Sequence, residues 1–157
     1  MKHRIQKATI EDLPEVQRLR KKLFEYEKDQ FDNRLNTKWS YEEKGIEKLT
    51  ERIKSPDDIV LLVEKESKNI GILIGSTWAD PTIKDHKLVA ELSSLYIDEG
   101  FRGEGIGSEL IEKCIAWAKE KGAERLTLNV AAVNDAALSL YKKYGFNDYY
   151  MKLKKDL

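Results

Sequence analysis

Four glycines and one arginine lie between a strand-like run and an amphipathic stretch in Leu92-Ser93-Ser94-Leu95-Tyr96-Ile97-Asp98-Glu99-Gly100-Phe101-Arg102-Gly103-Glu104-Gly105-Ile106-Gly107-Ser108-Glu109-Leu110. Glycine opens backbone conformations closed to other residues and lets a ligand approach the main chain. The first turn of a helix carries amide N–H groups without intrahelical partners and a partial positive charge. Strand, glycine turn and helix start together can cradle a phosphate. A Walker loop would end in Gly-Lys-Ser/Thr, which is absent here. A dinucleotide fingerprint would read G-x-G-x-x-G, and Gly103-x-Gly105-x-Gly107 is one residue too short. A glycine-rich connection that binds nothing is the alternative reading of the glycines alone.

The elements that must position this segment follow from pattern. Residues 3–9 read as a strand, and Thr9-Ile10-Glu11-Asp12-Leu13-Pro14 opens a helix with a cap, early acids and a first-turn proline. Leu13, Val16, Leu19, Leu23 and Phe24 recur at helical spacing through Glu25. Residues 26–39 read as a loop. Ser40-Tyr41-Glu42-Glu43 has the form of a capping box and starts a second helix to about Lys54. Ile59 to Glu64 and Ile70 to Trp78 read as a hairpin, and Leu88 to Ile97 as the strand entering the glycines. A helix from Gly105 to Lys121 buries Leu110, Ile111, Cys114, Ile115 and Ala118 on one stripe. Leu126 to Val130 is a further strand, Asn134 caps a helix closed by Gly145, and Phe146 to Leu153 is a last strand. The expectation is one mixed α/β domain over residues 1–157 with strand-helix-strand crossovers in its second half.

Composition narrows the partners. The 28 basic and 28 acidic residues cancel, which removes the electrostatic argument for nucleic acid or an anionic membrane. The basic runs Arg18 to Lys22 and Lys152 to Lys155 read as an exposed helix face and a charged terminal strand. One cysteine allows no disulfide within the chain. Met1-Lys2-His3-Arg4 leads into no long apolar run, so the expectation is a cytoplasmic protein without signal peptide or membrane span. His3 and His86 are too few and too isolated for a metal site.

The spacing Arg102-x-x-Gly105-x-Gly107 resembles the pyrophosphate loop of the GCN5-related N-acetyltransferases (GNAT), which hold acetyl-coenzyme A. A second block, Asn134-Asp135-Ala136-Ala137-Leu138-Ser139-Leu140-Tyr141-Lys142-Lys143-Tyr144-Gly145-Phe146, is similar to that family's N-x-x-A-x-x-L-Y-x-x-x-G-F. Two motifs in the right order, one strand apart, are far more specific than either alone. The resemblance extends over about residues 3–153. It implies a mostly antiparallel sheet of about six strands, with helices on both faces and a splayed pair of strands that holds acetyl-CoA as co-substrate.

The resemblance also implies roles. Backbone amides of Arg102, Gly103, Glu104, Gly105, Ile106, Gly107 and Ser108 would meet the pyrophosphate. The pantetheine arm would pair with main-chain groups near Leu95, Tyr96 and Ile97. Asn134 would bond it or order the site, its other reading being a plain helix N-cap, and Ala137 would border it. The reaction would move an acetyl group directly to a primary amine, of a polyamine, another amine metabolite or a peptide. An alkyl ammonium with a pKa of about 10.4 must lose a proton before attack. Glu91, four residues before Leu95 and on its face by two-residue alternation, stands where histone-acetylating members have their base. An ion pair at the strand start is its other reading. The backbone N–H near Leu95 would meet the carbonyl oxygen. Tyr141 would protonate the departing thiolate, its other reading being core packing. Cys114, mid-helix among apolar residues, reads as a small hydrophobe with no chemistry.

The acceptor would be read by residues 26–39, the second helix, residues 80–87 and the C-terminal end. Phe31, Trp39, Trp78 and Tyr149 are candidate pocket walls, His86 could border the pocket, and the acids from Glu25 to Asp32 favour a cationic acceptor. A single strand's worth of chain after Phe146 leaves one wall of the cleft open to a peptide or to a second subunit in a homodimer. A non-catalytic acyl-CoA sensor on the same fold is the alternative function.

Overall fold

The computed structural model describes residues 2–79 and 87–157. Its elements are β1 (Arg4–Lys7), α1 (Leu13–Gln30), α2 (Glu43–Lys54), β2 (Asp58–Lys65), β3 (Lys68–Ala79), β4 (Leu88–Ile97), α3 (Ile106–Glu120), β5 (Arg125–Leu128) and α4 (Asp135–Lys143). The strands form one sheet in chain order, β1-β2-β3-β4-β5. The first three pairings are antiparallel and β4–β5 is parallel. A parallel neighbour needs a crossover, and α3 supplies it.

Both faces of the sheet are covered. Val16 and Leu19 of α1 and Leu49 and Ile53 of α2 pack on Val60, Leu62, Ile72 and Ile74. On the other face Ile106, Leu110, Cys114, Trp117 and Ala118 of α3 pack on Leu61, Val63, Leu73, Ala90 and Leu92. The continuous apolar runs of β2 and β3 follow from this double burial.

Three expectations about the elements fail. Ser40 does not cap α2: it lies in a short 3-10 turn over Trp39–Tyr41, and the N-cap of α2 is Glu42. α1 does not stop at Glu25 but runs to Gln30. Residues 26–30 contain no helix breaker, Lys28 suits the negative C-terminal end, and the Tyr26 ring meets Phe31 edge-on at 5.7 Å. The expected last strand, Phe146 to Leu153, is absent, so the sheet has five strands rather than about six. A strand is stabilised by ladder pairing and by burying alternate side chains. Here Tyr150, Met151 and Leu153 are more than 80% exposed, and β5 is only four residues long. The tail is tied back where Arg125 donates to the Tyr149 hydroxyl at 2.8 Å. Residues 80–86, including His86, lie outside the described residues.

Leu110, fully buried on α3, holds that helix to the sheet. Leu110→Ala is expected to cost about 3 kcal/mol, read as a lower urea midpoint at constant m. A loss below about 1 kcal/mol would show that α3 is not held there.

Candidate active site

β4 is paired along its whole length to β3 but to β5 only from Val89 to Leu92. Beyond Leu92 and Leu128 the two strands part, and the second half of β4 has lost its neighbour on that side. The other side carries a bulge: Ile74 and Gly75 of β3 stand opposite Ser94 and Leu92, which leaves Ser93 as the extra residue. The Ser93 hydroxyl donates to the Ile74 carbonyl at 3.2 Å.

The bulge resets which side chains face which way. Ala90 and Leu92 pack on the α3 side, and after the bulge Leu95 and Ile97 do so as well. Tyr96 packs on the α1 side, where Ser94 bonds to Arg20 of α1. Glu91, between Ala90 and Leu92, therefore faces the α1 side by alternation. Glu91 and Leu95 do not share a face, because two-residue counting fails across a bulge. Glu91 itself is half-buried, opposite Ser76 and Thr127, one pair before β5 ends.

β4 leads into a turn closed by the Phe101 N–H to Asp98 O and the Arg102 N–H to Glu99 O. Gly103 and Gly105 then hold φ of +81° and +83°, which disfavours any other residue. A Cβ at either position would meet nothing within 4 Å, so the space over the loop is open. Gly105 caps α3, whose first intrahelical bond runs from the Glu109 N–H to Gly105 O at 3.1 Å. The amides of Ile106, Gly107 and Ser108 precede that bond and point out of the helix start. Ile106 is buried and anchors the loop, and Ser108 is half-buried.

Side chains hold this loop from both flanks. The Arg102 Nε donates to Ile97 O at 2.8 Å, and its guanidinium lies 4.9 Å from the Tyr26 ring and 5.5 Å from the Tyr96 ring. It thus lies against the loop and ties the end of β4 to α1. Glu104 is ion-paired with Lys65, whose side chain is 11% exposed and whose ammonium lies 5.5 Å from the Phe101 ring. Pairing with Lys65 compensates the negative charge that Glu104 brings to the loop.

α4 crosses the start of α3. Leu140 Cδ2 would be 3.8 Å from a Cβ on Gly107, and the Tyr144 hydroxyl donates to Glu112 of α3 at 3.1 Å. Asn134 caps α4, its Oδ1 accepting from the Ala137 N–H at 3.2 Å. Tyr141 packs edge-on against Phe146 at 5.7 Å. Burial, then the charge of Glu27 on α1, pushes the Tyr141 phenol up to about 12. α1 and α3 cover opposite faces of the sheet. Tyr141 lies on α4, which crosses the start of α3 beside the glycine loop. The phenol stays protonated at neutral pH and can donate. Cys114 is fully buried, and burial raises its thiol to about 12. Among the described residues no group of three or more His, Cys, Asp or Glu could hold a metal, and no helix is long and apolar enough to cross a membrane.

The profile of the acetyltransferase (GNAT) family matches residues 20–146. The chain belongs to that family. It is 33% identical over 97 residues to the uncharacterized N-acetyltransferase MJ1207 of Methanocaldococcus jannaschii, covering 61% of this chain and 42% of that protein. It is 40% identical over 73 residues to thialysine N-epsilon-acetyltransferase of Bos taurus, covering 46% of this chain and 39% of that protein. The chain thus spans under half the length of these curated relatives. Among solved structures, the BH1408 protein of Bacillus halodurans superposes with a TM-score of 0.82 at 21% identity, over 98% of this chain and 99% of that one. The aminoglycoside acetyltransferase AAC(6')-Iy, solved with a CoA bisubstrate analogue, superposes with a TM-score of 0.76 at 16% identity, over the full length of both chains. These two likenesses concern the fold. Within this GNAT fold the loop opens α3, and α4, which carries Tyr141, crosses the start of that helix.

Two members of the cluster escape a reading of the sequence. Arg20, read as part of an exposed basic run, is half-buried. Its Nη1 donates to the Ser94 hydroxyl, and its guanidinium lies 4.5 Å from the Phe24 ring and 5.6 Å from Trp39. Burial lowers it to about 10, so it remains charged at neutral pH. The signal was its position, four residues after Val16 and four before Phe24 on the buried stripe. Lys65 carried no such signal, because its partner Glu104 is 39 residues away.

A thiol held neutral to about 12 does not react with alkylating agents. Native Cys114 is expected to resist iodoacetamide at pH 8.5 while the urea-unfolded chain is alkylated, read by intact mass. Rapid alkylation of the native protein would show an accessible thiolate.

Proposed function

We propose that this chain is an enzyme that moves an acetyl group from acetyl-CoA directly to a primary amine. The observation that carries the reading is the gap between β4 and β5, with helix-start amides beside it and a protonated phenol on α4, the helix that crosses the start of α3. Family membership supports the acetyl-CoA donor, as do the CoA complexes known for structural neighbours. The thialysine and aminoglycoside acetyltransferases among the similar proteins support an amine acceptor.

The loop fits a pyrophosphate. Positive-φ glycines leave it without side-chain walls, and the amides of Ile106 to Ser108 supply donors at a helix N-terminus. Arg102 and Lys65 fix the loop's shape. Main-chain groups of Leu95 and Ile97, which β5 no longer pairs, would bind the pantetheine arm. Asn134, already capping α4, and Ala137 would border that arm.

Transfer needs three proton or charge adjustments. The amine loses a proton, and Glu91, at the last turn of pairing before the gap, would take it through water. Negative charge develops on the carbonyl oxygen, and the backbone N–H near Leu95 would meet it. As the C–N bond forms and the C–S bond breaks, Tyr141 would give its proton to the sulfur. A phenol that ionises only near 12 holds that proton across the whole neutral range. The inert Cys114 leaves the chain without a cysteine nucleophile for an acyl-enzyme, which favours direct transfer.

Tyr141→Phe is expected to lower kcat by about 10²-fold with little change in the Kd for CoA; a variant at full rate would remove it as the acid. Glu91→Gln is expected to lower kcat by about 10²-fold with little change in the Kd for CoA. A variant at full rate would mean another base.

A further inference from the structure

The cleft contains a carboxylate that these roles do not use. Glu27 is half-buried in the last turns of α1, and its side chain makes no hydrogen bond or ion pair among the described residues. Its counterparts are matched: Glu15 with Arg18 at 2.7 Å, Asp98 with Lys22 at 2.9 Å and Asp58 with Arg52 at 3.9 Å. A carboxylate drawn partly out of water without a partner is costly. Its desolvation shows in a carboxyl pushed above the usual range by burial. Arg20, seven residues earlier on the same helix face, is the nearest compensating charge, but it is committed to Ser94 and to the Phe24 and Trp39 rings.

The position of Glu27 is fixed by those contacts. Arg20 pins its stripe of α1 over the half of β4 that has lost β5, and Tyr26, one residue before Glu27, stacks on Arg102 of the loop. Glu27 is therefore on the α1 side of the gap, within electrostatic reach of Tyr141. The free loop amides lie at the start of α3, on the other side.

We propose that Glu27 is a specificity-determining residue that holds a second, non-reacting ammonium of the acceptor, so that the preferred substrates are diamines or other amines with an additional positive charge. This rests on the acetyl-transfer reading of the same site. The reacting nitrogen must be neutral when it attacks, and Glu91, acting through water, already serves to take its proton. A second ammonium a few bonds away keeps its charge and can pair with a second carboxylate. It repays the desolvation of Glu27 and orients the other end of the molecule toward Tyr141.

The test compares 1,4-diaminobutane with butylamine, by calorimetric binding to the CoA-saturated protein and by thiol release with acetyl-CoA. In the wild type the diamine is expected to bind about 10- to 100-fold more tightly, the range of a charge-assisted contact. Glu27→Gln is expected to bring the two amines to parity, by raising KM for the diamine more than it lowers kcat, and Glu27→Asp to keep part of the preference. Retained CoA binding reports an intact fold in each variant. Equal affinity for the two amines in the wild type, or an undiminished preference in Glu27→Gln, would overturn the inference. Diamine binding through Glu27 without any thiol release would leave it standing and overturn the acetyl-transfer reading instead.

Discussion

Everything about the site depends on one interruption of hydrogen bonding. β4 and β5 share four residue pairs and then part, while β3 continues to hold β4 to its end. A sheet interior ordinarily satisfies its own amides and carbonyls, and leaving them unpaired is costly. Here the second half of β4 keeps one satisfied edge and offers the other. The Ser93 bulge lies at the same place, so the strand turns its side chains over as it loses its neighbour. Leu95 and Ile97 can then seal the α3 side while Ser94 and Tyr96 meet α1.

The opening divides the electrostatics of the molecule. Helix-start amides face it from the α3 side, where positive potential accumulates. Glu27 lies on the α1 side, with Arg20 as its compensating charge and no ion pair among the described residues. The Tyr141 phenol on α4 is held protonated by burial and by the Glu27 charge. Under the proposed reading, an anionic cofactor segment would be drawn to the α3 side and a cationic acceptor to the α1 side.

Local chemistry made much of this legible in the sequence. Positive φ at Gly103 and Gly105, the Asn134 cap and the apolar stripes of α1 and α3 depend on a few neighbouring residues, so spacing revealed them. What depends on distant partners was not legible. No local pattern marks Ser93 as a bulge, because the extra residue is defined only against β3. The tail alternates Tyr149, Met151 and Leu153 like a strand, but alternation makes a strand only where a neighbouring edge and a face await it, and β5 offers neither at sufficient length. Glu91 was placed on the right strand and its relation to Leu95 misjudged for the same reason. The strand is a local property, whereas its register is not.

Two buried cations show how the fold maintains the passage. Removing Arg20 and Lys65 from water costs free energy that their partners must offset. Arg20 meets a neutral hydroxyl and two aromatic faces, and Lys65 meets Glu104 and one ring. Apolar residues of similar size would fill the same volume at less electrostatic cost. They could not fix direction, since dispersion is indifferent to orientation whereas a hydrogen bond is not. Arg20 holds α1 to the bulge, and Lys65 holds the loop to the β2–β3 hairpin. Arg20 braces the α1 side and Lys65 the loop, both beside the half of β4 that β5 does not pair.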